Sequence, residues 1–217
     1  MTILALEFSS PQRSVAVLRT DGAAMTAEAV ETGGHGANAF GMIEQVLAEA
    51  KIEREQIDML AVGLGPGSYT GIRAAISLAQ GWQLARGVKL LGISSAECLA
   101  AQAQTEKVLG RISVVIDAQR NELYLATYEI TPDGWREIAS LKISSPAEVQ
   151  SQAGADGILI GPEATRWFPG GRIIFPRAAA LAELAARRNN FVSGEKLEPI
   201  YLRETNFVKA TPARGAN

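Results

Sequence analysis

At 217 residues, with 47% hydrophobic and 20% charged side chains, the chain has the composition of a globular protein and the length for one large domain or two small ones. Its 21 Lys and Arg against 23 Asp and Glu leave a formal charge of −2, which argues against a protein that grips RNA by bulk positive charge. Cys98 is the only cysteine, so no internal disulfide forms, as suits a reducing cytosol. The first ten residues lack a basic start and include Glu7, which does not read as a signal peptide. No apolar run approaches the ~18 residues that a membrane span needs. The expectation is a cytoplasmic protein with no membrane contact.

Residues 3–6 read as a short buried strand ending at Glu7-Phe8-Ser9-Ser10, and Pro11-Gln12-Arg13 turns the chain. Residues 14–18 and 25–30 read as two more strands, joined by Thr20-Asp21-Gly22, since Asp-Gly accepts positive φ. A glycine-rich loop follows with the only histidine, His35. Residues 37–50 read as a helix with Phe40, Ile43, Leu47 and Ala50 on one stripe and Met42 and Val46 on a second. Such a helix is either buried on two sides, or buried on one and docked on the other. Residues 58–62 read as a strand that runs into Gly63-Leu64-Gly65-Pro66-Gly67-Ser68-Tyr69-Thr70-Gly71-Ile72-Arg73. The next helix, capped by Ser68 or Thr70, runs to about Arg86. Ile72, Ile76, Ala79 and Gln83 share one of its faces; Ala74, Leu78, Gly81 and Ala85, with Ser77 beside them, share another. The second row has the small residues that let two helices approach closely, so this helix is expected to have a core side and a partner side.

Residues 89–93 read as a strand and 95–104 as a helix capped by Ser94 or Ser95; polar Thr105-Glu106-Lys107 then marks a boundary between lobes 1–104 and 105–217. The second lobe opens with a strand at 112–116 ending in Asp117, followed by a hairpin of 123–130 and 135–143. Residues 157–160 and 172–175 read as strands, 178–188 as a helix, and 211–217 as a mobile polar tail. The strand, acid, meander order of the first lobe thus recurs, which reads as an internal duplication. A meander that begins with a carboxylate is how the two-lobe α/β fold of actin-like ATPases, related to ribonuclease H, begins. That fold, in degenerate form, is the one expected here.

The glycine turn between residues 63 and 71 places free N–H groups at a helix start, which suits either an anion or the close approach of another backbone. It is not a Walker loop, because no Lys occurs between Arg54 and Lys89, and it lacks the third glycine of a dinucleotide fingerprint. Glu7, Ser9 and Ser10 stand where an actin-like fold puts its first phosphate loop, but the acid is the longer Glu and no glycine follows closely. The matching second loop, Asp117 to Glu122, also has no glycine. Glu7 is therefore either a remnant of a nucleotide site or a strand-end acid bonded to nearby N–H groups. One histidine makes neither a metal centre nor a nucleophilic triad.

The string Gly65-Pro66-Gly67-Ser68-Tyr69-Thr70-Gly71-Ile72-Arg73 resembles the hallmark of the TsaB (YeaZ) family. The opening residues 3–10, Gly92-Ile93-Ser94-Ser95, Asp117 to Tyr124 and Pro199-Ile200-Tyr201-Leu202-Arg203 resemble further family segments, and the likeness runs to about Ala210. Glu7 stands where the family usually has Asp, Gln119 departs from an Arg, and His35-Gly36-Ala37 replaces a His-Ser-Glu. The resemblance implies a non-catalytic scaffold that pairs with a TsaD-like catalytic paralogue through the first helices of the N-terminal lobe and forms a homodimer when alone. With a TsaE-like ATPase, that complex transfers threonylcarbamoyl to the adenosine beside the tRNA anticodon. Phe40, Met42, Val46, Ala74, Ser77, Leu78, Gly81 and Ala85 are the expected partner face. Glu7, Ser9, Ser10, Gly65, Gly67, Ser68, Thr70 and Arg73 are the expected motif and residual nucleotide or anion site. No cofactor or metal is implied beyond weakly held or interface-trapped ADP or ATP, and tRNA is expected only through the complex. The rival reading is a stand-alone actin-fold ATPase or small-molecule kinase using Glu7 and the glycine turn.

Overall fold

Strand β1 (Thr2–Glu7) is buried along its whole length, because both faces of its sheet are covered. Leu4 and Leu6 point into one core, and Ile3 and Ala5 into another. That two-sided burial is why the strand is continuously apolar rather than alternating. The computed structural model describes residues 1–20, 25–33, 38–154 and 157–203. The predicted Asp21-Gly22 turn, the His35 loop and the tail from residue 204 lie outside the described residues.

Around β1, strands β2 (Gln12–Arg19) and β3 (Met25–Thr32) add an antiparallel meander on one side. Helix α1 (Ala39–Ala50) leads to β4 (Met59–Gly63), and α2 (Tyr69–Arg86) to β5 (Lys89–Ile93). Both strands join parallel on the other side of β1, giving the order β3-β2-β1-β4-β5. After α3 (Ser95–Thr105), the pattern repeats through β6 (Gly110–Asp117), β7 (Leu123–Thr131), β8 (Gly134–Ser144), α4 (Pro146–Ala153), β9 (Ile158–Gly161), α5 (Ala164–Trp167), β10 (Arg172–Ile173) and α6 (Ala178–Ala186). The second sheet runs β8-β7-β6-β9-β10, strand for strand the order and direction of the first. The chain has the two-lobe actin-like α/β fold, and the duplication is complete at the level of topology.

The strands separate by sequence, but the helices do not. Helix α6, late in the chain, packs on β1, β2 and β4 of the first sheet, while α3 packs on β6, β7 and β8 of the second. Arg177, just before α6, forks onto Glu28 of β3 (3.1 and 3.2 Å from Nε), and Arg188, just after α6, pairs with Glu97 of α3, so charged contacts tie α6 to the first sheet and to α3.

Local chemistry explains the helix ends. Ser68 is the cap of α2, accepting from the Gly71 N–H at 3.3 Å; Thr70 lies exposed in the first turn. Asn38 caps α1 through Gly41 at 2.9 Å, so the helix starts two residues later than predicted. Ser94 precedes α3 without a side-chain cap bond. Helix α4 does not figure in the sequence reading, although Ser145-Pro146-Ala147-Glu148 forms a full capping box with Pro in the first turn. β10 is two residues, shorter than predicted, and α6 ends before the predicted Arg188.

One expectation is corrected. Met42 and Val46, read as a partner-facing stripe, are 1% and 0% exposed and sit in the same core as Ile43, Leu47 and Ala50. The two stripes are adjacent on the helix surface and merge into one broad buried face. Of the α1 residues expected to dock, only Phe40 points outward, at 64% exposure.

Candidate functional site

Two surfaces are candidates for function, one on the outer side of α2 and one beside the glycine turn. At its base Glu7 is fully buried, with Oε1 accepting the Ser9 N–H at 2.8 Å and Oε2 accepting the Ser95 hydroxyl at 2.9 Å. A Cβ on Gly63 would lie 2.0 Å from Oε2, so the acid is sealed from above. Burial raises the Glu7 carboxyl above its ordinary 4.5, against the opposing pull of the Ser9 and Ser95 hydrogen bonds. Burial likewise raises the Cys98 thiol well above its ordinary value, and the nearby Glu7 adds to this. Glu7 thus ends β1 bonded to neighbouring donors, and it does not line the cleft beyond the turn.

The turn itself is built for a second backbone. Gly67 has φ +144° and a Cβ there would meet the Ser9 carbonyl oxygen at 2.0 Å; at Gly71 a Cβ would meet the Phe8 carbonyl oxygen at 2.0 Å. The Ser68 N–H donates to the Ser9 carbonyl at 2.6 Å, and Gly65, preceding a cis Pro66, accepts from the Ser95 N–H at 2.8 Å. Ser9 and Ser10 are buried, and the Ser10 hydroxyl donates to the Gln12 carbonyl at 2.6 Å. The Ser68 N–H and the Ser10 hydroxyl, two donors of the expected anion site, are thus committed inside the protein.

Beyond the turn, the ends of the two sheets enclose a cleft of about 1350 Å³. Ser9, Ser10, Gly67, Ser68 and Arg73 reach its wall, while Glu7, Gly65 and Thr70 do not. Its other walls include residues that sequence reading did not assign to the site. They are Arg13 and Tyr69 from the first half, and Arg120, Tyr124, Arg166, Tyr201 and Arg203 from later in the chain. Nothing in their spacing links residues 13 and 203; only the closed fold brings them together. The second-lobe counterpart of Glu7, Asp117, is open to this cleft and pairs with Arg166 at 3.2 Å. Glu163 lies beside them, its carboxyl raised by burial. Among the described residues no group of three or more His, Cys, Asp or Glu side chains gathers to hold a metal.

The second surface is the outer side of α2. Ile72, Ala75, Ile76 and Ala79 are buried against the sheet, while Ala74, Ser77, Gly81 and Ala85 are exposed and Leu78 is half-buried. Phe40, Leu78, Trp82 and Ala85 line a shallow apolar hollow of about 470 Å³, with Arg54, Glu55 and Arg86 at its rim. Leu84, 91% exposed, stands nearby on the same helix.

Residues 30–209 match the family model described as "TsaD: tRNA N6-adenosine threonylcarbamoyltransferase". The tRNA threonylcarbamoyladenosine biosynthesis protein TsaB of Haemophilus influenzae is 30% identical, across 99% of this chain and 98% of that protein. The chain belongs to this family, in its TsaB (YeaZ) branch. The Escherichia coli TsaB is 26% identical over 99% of this chain and all of its own. YeaZ from Pseudomonas aeruginosa superposes with a TM-score of 0.79 at 29% identity, covering 93% of this chain and 99% of that one. The TsaB signature Gly65 to Arg73 therefore has a structural meaning here: three of its residues, Gly67, Ser68 and Gly71, press the turn against Phe8 and Ser9. None of the described helices is long and apolar enough to cross a membrane.

Proposed function

We propose that this chain is a non-catalytic cytoplasmic subunit of tRNA threonylcarbamoyladenosine biosynthesis, which pairs with a TsaD-like catalytic subunit through the outer face of α2 and the Phe40 end of α1. The observation that carries this reading is the row of Ala74, Ser77, Leu78, Gly81 and Ala85: its helix has already spent its apolar side on the core, yet this second side is small and uncharged. The sealed Glu7 and the internally bonded turn support a role other than phosphoryl transfer. Alone, the chain uses the same face to form a homodimer; a TsaE-like ATPase joins through the catalytic partner, and tRNA is held firmly only by the assembled complex.

Co-purification of tagged protein with a TsaD-like protein from the source cell tests the pairing. The purified chain is expected to show neither ATP hydrolysis nor threonylcarbamoyl transfer above background. Turnover that survives repurification and disappears on Glu7→Ala would overturn the reading in favour of an actin-fold ATPase or kinase.

A further inference from the structure

Arginines are concentrated in the cleft of a chain whose formal charge is −2. Arg13 and Arg73 come from the first half, Arg120, Arg166 and Arg203 from the second, and the lining carboxylates are Asp117 and Glu163. Arg166 is occupied by Asp117 and Arg203 by Glu122 and the Ala118 carbonyl. Arg13, Arg73 and Arg120 form no ion pair among the described residues, although Arg73 Nε donates to the Tyr201 hydroxyl at 3.4 Å and Arg13 lies 5.8 Å over the Phe8 ring.

Arg120 is presented in an unusual way. Gln119, Arg120 and Asn121 have φ of 63°, 57° and 60°, three consecutive non-glycine residues in the left-handed region. Such residues are held there only when their surroundings over-determine them. Here the Gln119 N–H donates to Asp117 Oδ1 at 2.7 Å, the Ala118 N–H to the Glu122 carbonyl at 3.0 Å, and Arg203 clasps both Ala118 and Glu122. The strained turn fixes an exposed arginine, without a carboxylate partner, at the lip of the cleft.

Aromatic surface lies alongside. Tyr69 and Tyr201, 56% and 41% exposed, stack with centroids 5.5 Å apart and planes at 21°, and Arg73 lies 4.3 Å over the Tyr69 ring. Arginine offers planar, bidentate donors to phosphate, and an exposed tyrosine offers a face to a base.

We infer that the cleft between the lobes holds a single-stranded RNA segment, its phosphates on Arg13, Arg73 and Arg120 and a base against the Tyr69–Tyr201 stack. Two observations favour a strand over a free nucleotide: the cleft, at about 1350 Å³, is roomier than the roughly 300–1,000 Å³ of ordinary small-molecule sites, and arginines without a carboxylate partner line it from both lobes. The aromatic stack favours RNA over an acidic peptide. The inference agrees with a tRNA-modifying role but does not depend on the α2 face.

Fluorescence anisotropy of the full chain with a short labelled oligoadenylate tests it, with ATP and polyglutamate as competitors. Three phosphate contacts give a salt slope of about −2, so lowering the salt threefold tightens binding about tenfold. Arg73→Gln and Arg120→Gln should each make the slope shallower by about 0.7 with unchanged circular dichroism. Tyr201→Ala should weaken the oligonucleotide about fivefold or more and leave the slope alone. No measurable binding at low salt, or a slope indifferent to both arginine substitutions, overturns the inference. ATP competing as well as the unlabelled oligonucleotide converts the cleft to a small-nucleotide site. Polyglutamate competing better, with no effect of Tyr201→Ala, converts it to a docking site for an acidic protein segment. Gly81→Glu should retain RNA binding and Arg120→Gln should retain subunit pairing, so this inference and the pairing proposal fail separately.

Discussion

Gly81→Glu is the sharpest test of the α2 face. A Cβ at Gly81 meets nothing within 4 Å, so the monomer accepts a side chain there without a clash. Replacing glycine in a helix interior by glutamate adds roughly 0.5 kcal/mol of helix propensity, and the isolated fold should be no less stable than the parent. In a subunit interface the same carboxylate is stripped of water. A buried charge without a prepared partner costs several kcal/mol, and Arg54 and Arg86 at the rim of the hollow relieve part of that. A residual penalty of about 3 kcal/mol weakens association more than a hundredfold. Gly81→Lys places a cation beside those same arginines and should weaken it further. Sizing chromatography should show a soluble monomer, thermal unfolding by circular dichroism should show an intact fold, and a TsaD-like partner should neither bind nor be activated. A folded Gly81→Glu chain that still dimerises and still activates the partner would refute the assignment of this face.

Three more outcomes follow from the geometry. Gly71→Ala should destabilise the protein by about 2 kcal/mol or more despite alanine's better helix propensity, because its Cβ would lie 2.0 Å from the Phe8 carbonyl, whereas Gly81→Ala should stabilise it by about 0.5–1 kcal/mol; paired urea titrations decide. Because the Glu7 carboxyl is raised on folding, its contribution is whole below its ordinary 4.5 and is lost as pH rises through the folded value; Glu7→Gln should therefore match or exceed the parent near neutral pH and lose any advantage in acid, and a variant less stable than the parent at neutral pH would show that the charge is favourable there. The isolated chain should bind whole tRNA at roughly 0.1 mM or weaker in physiological salt, and tight, salt-resistant binding by filter assay would contradict the small number of cleft arginines that lack a carboxylate partner.

Much of the architecture was legible from local chemistry. Strands β1 and β4 announced themselves as continuous apolar runs, because a strand covered on both faces has no solvent side to alternate toward. The two faces of α2 were readable from 3.6-residue spacing, and the recurrence of strand, acid and meander pointed to a duplicated fold. Even α4, absent from the reading, had its signal in Ser145-Pro146-Ala147-Glu148. What spacing could not separate was two adjacent stripes on α1, where Met42 and Val46 face the same core as Ile43 and Leu47. Which side of an apolar helix meets its own core depends on what is packed above it, and that is not a local property. The same holds for the acids: Glu7 and Asp117 end equivalent strands, yet Gly63 and Ser95 seal one while the other opens to the cleft beside Arg166. The cleft was legible only in part: the motif residues Ser9, Ser10, Gly67, Ser68 and Arg73 reach its wall, but the rest of the wall has no local signal. Arg13, Arg120 and Tyr201 stand far apart in the chain without any period, and they join Arg73 on one surface only in the tertiary fold, where α3 packs on the second sheet, α6 on the first, and the two helices on each other.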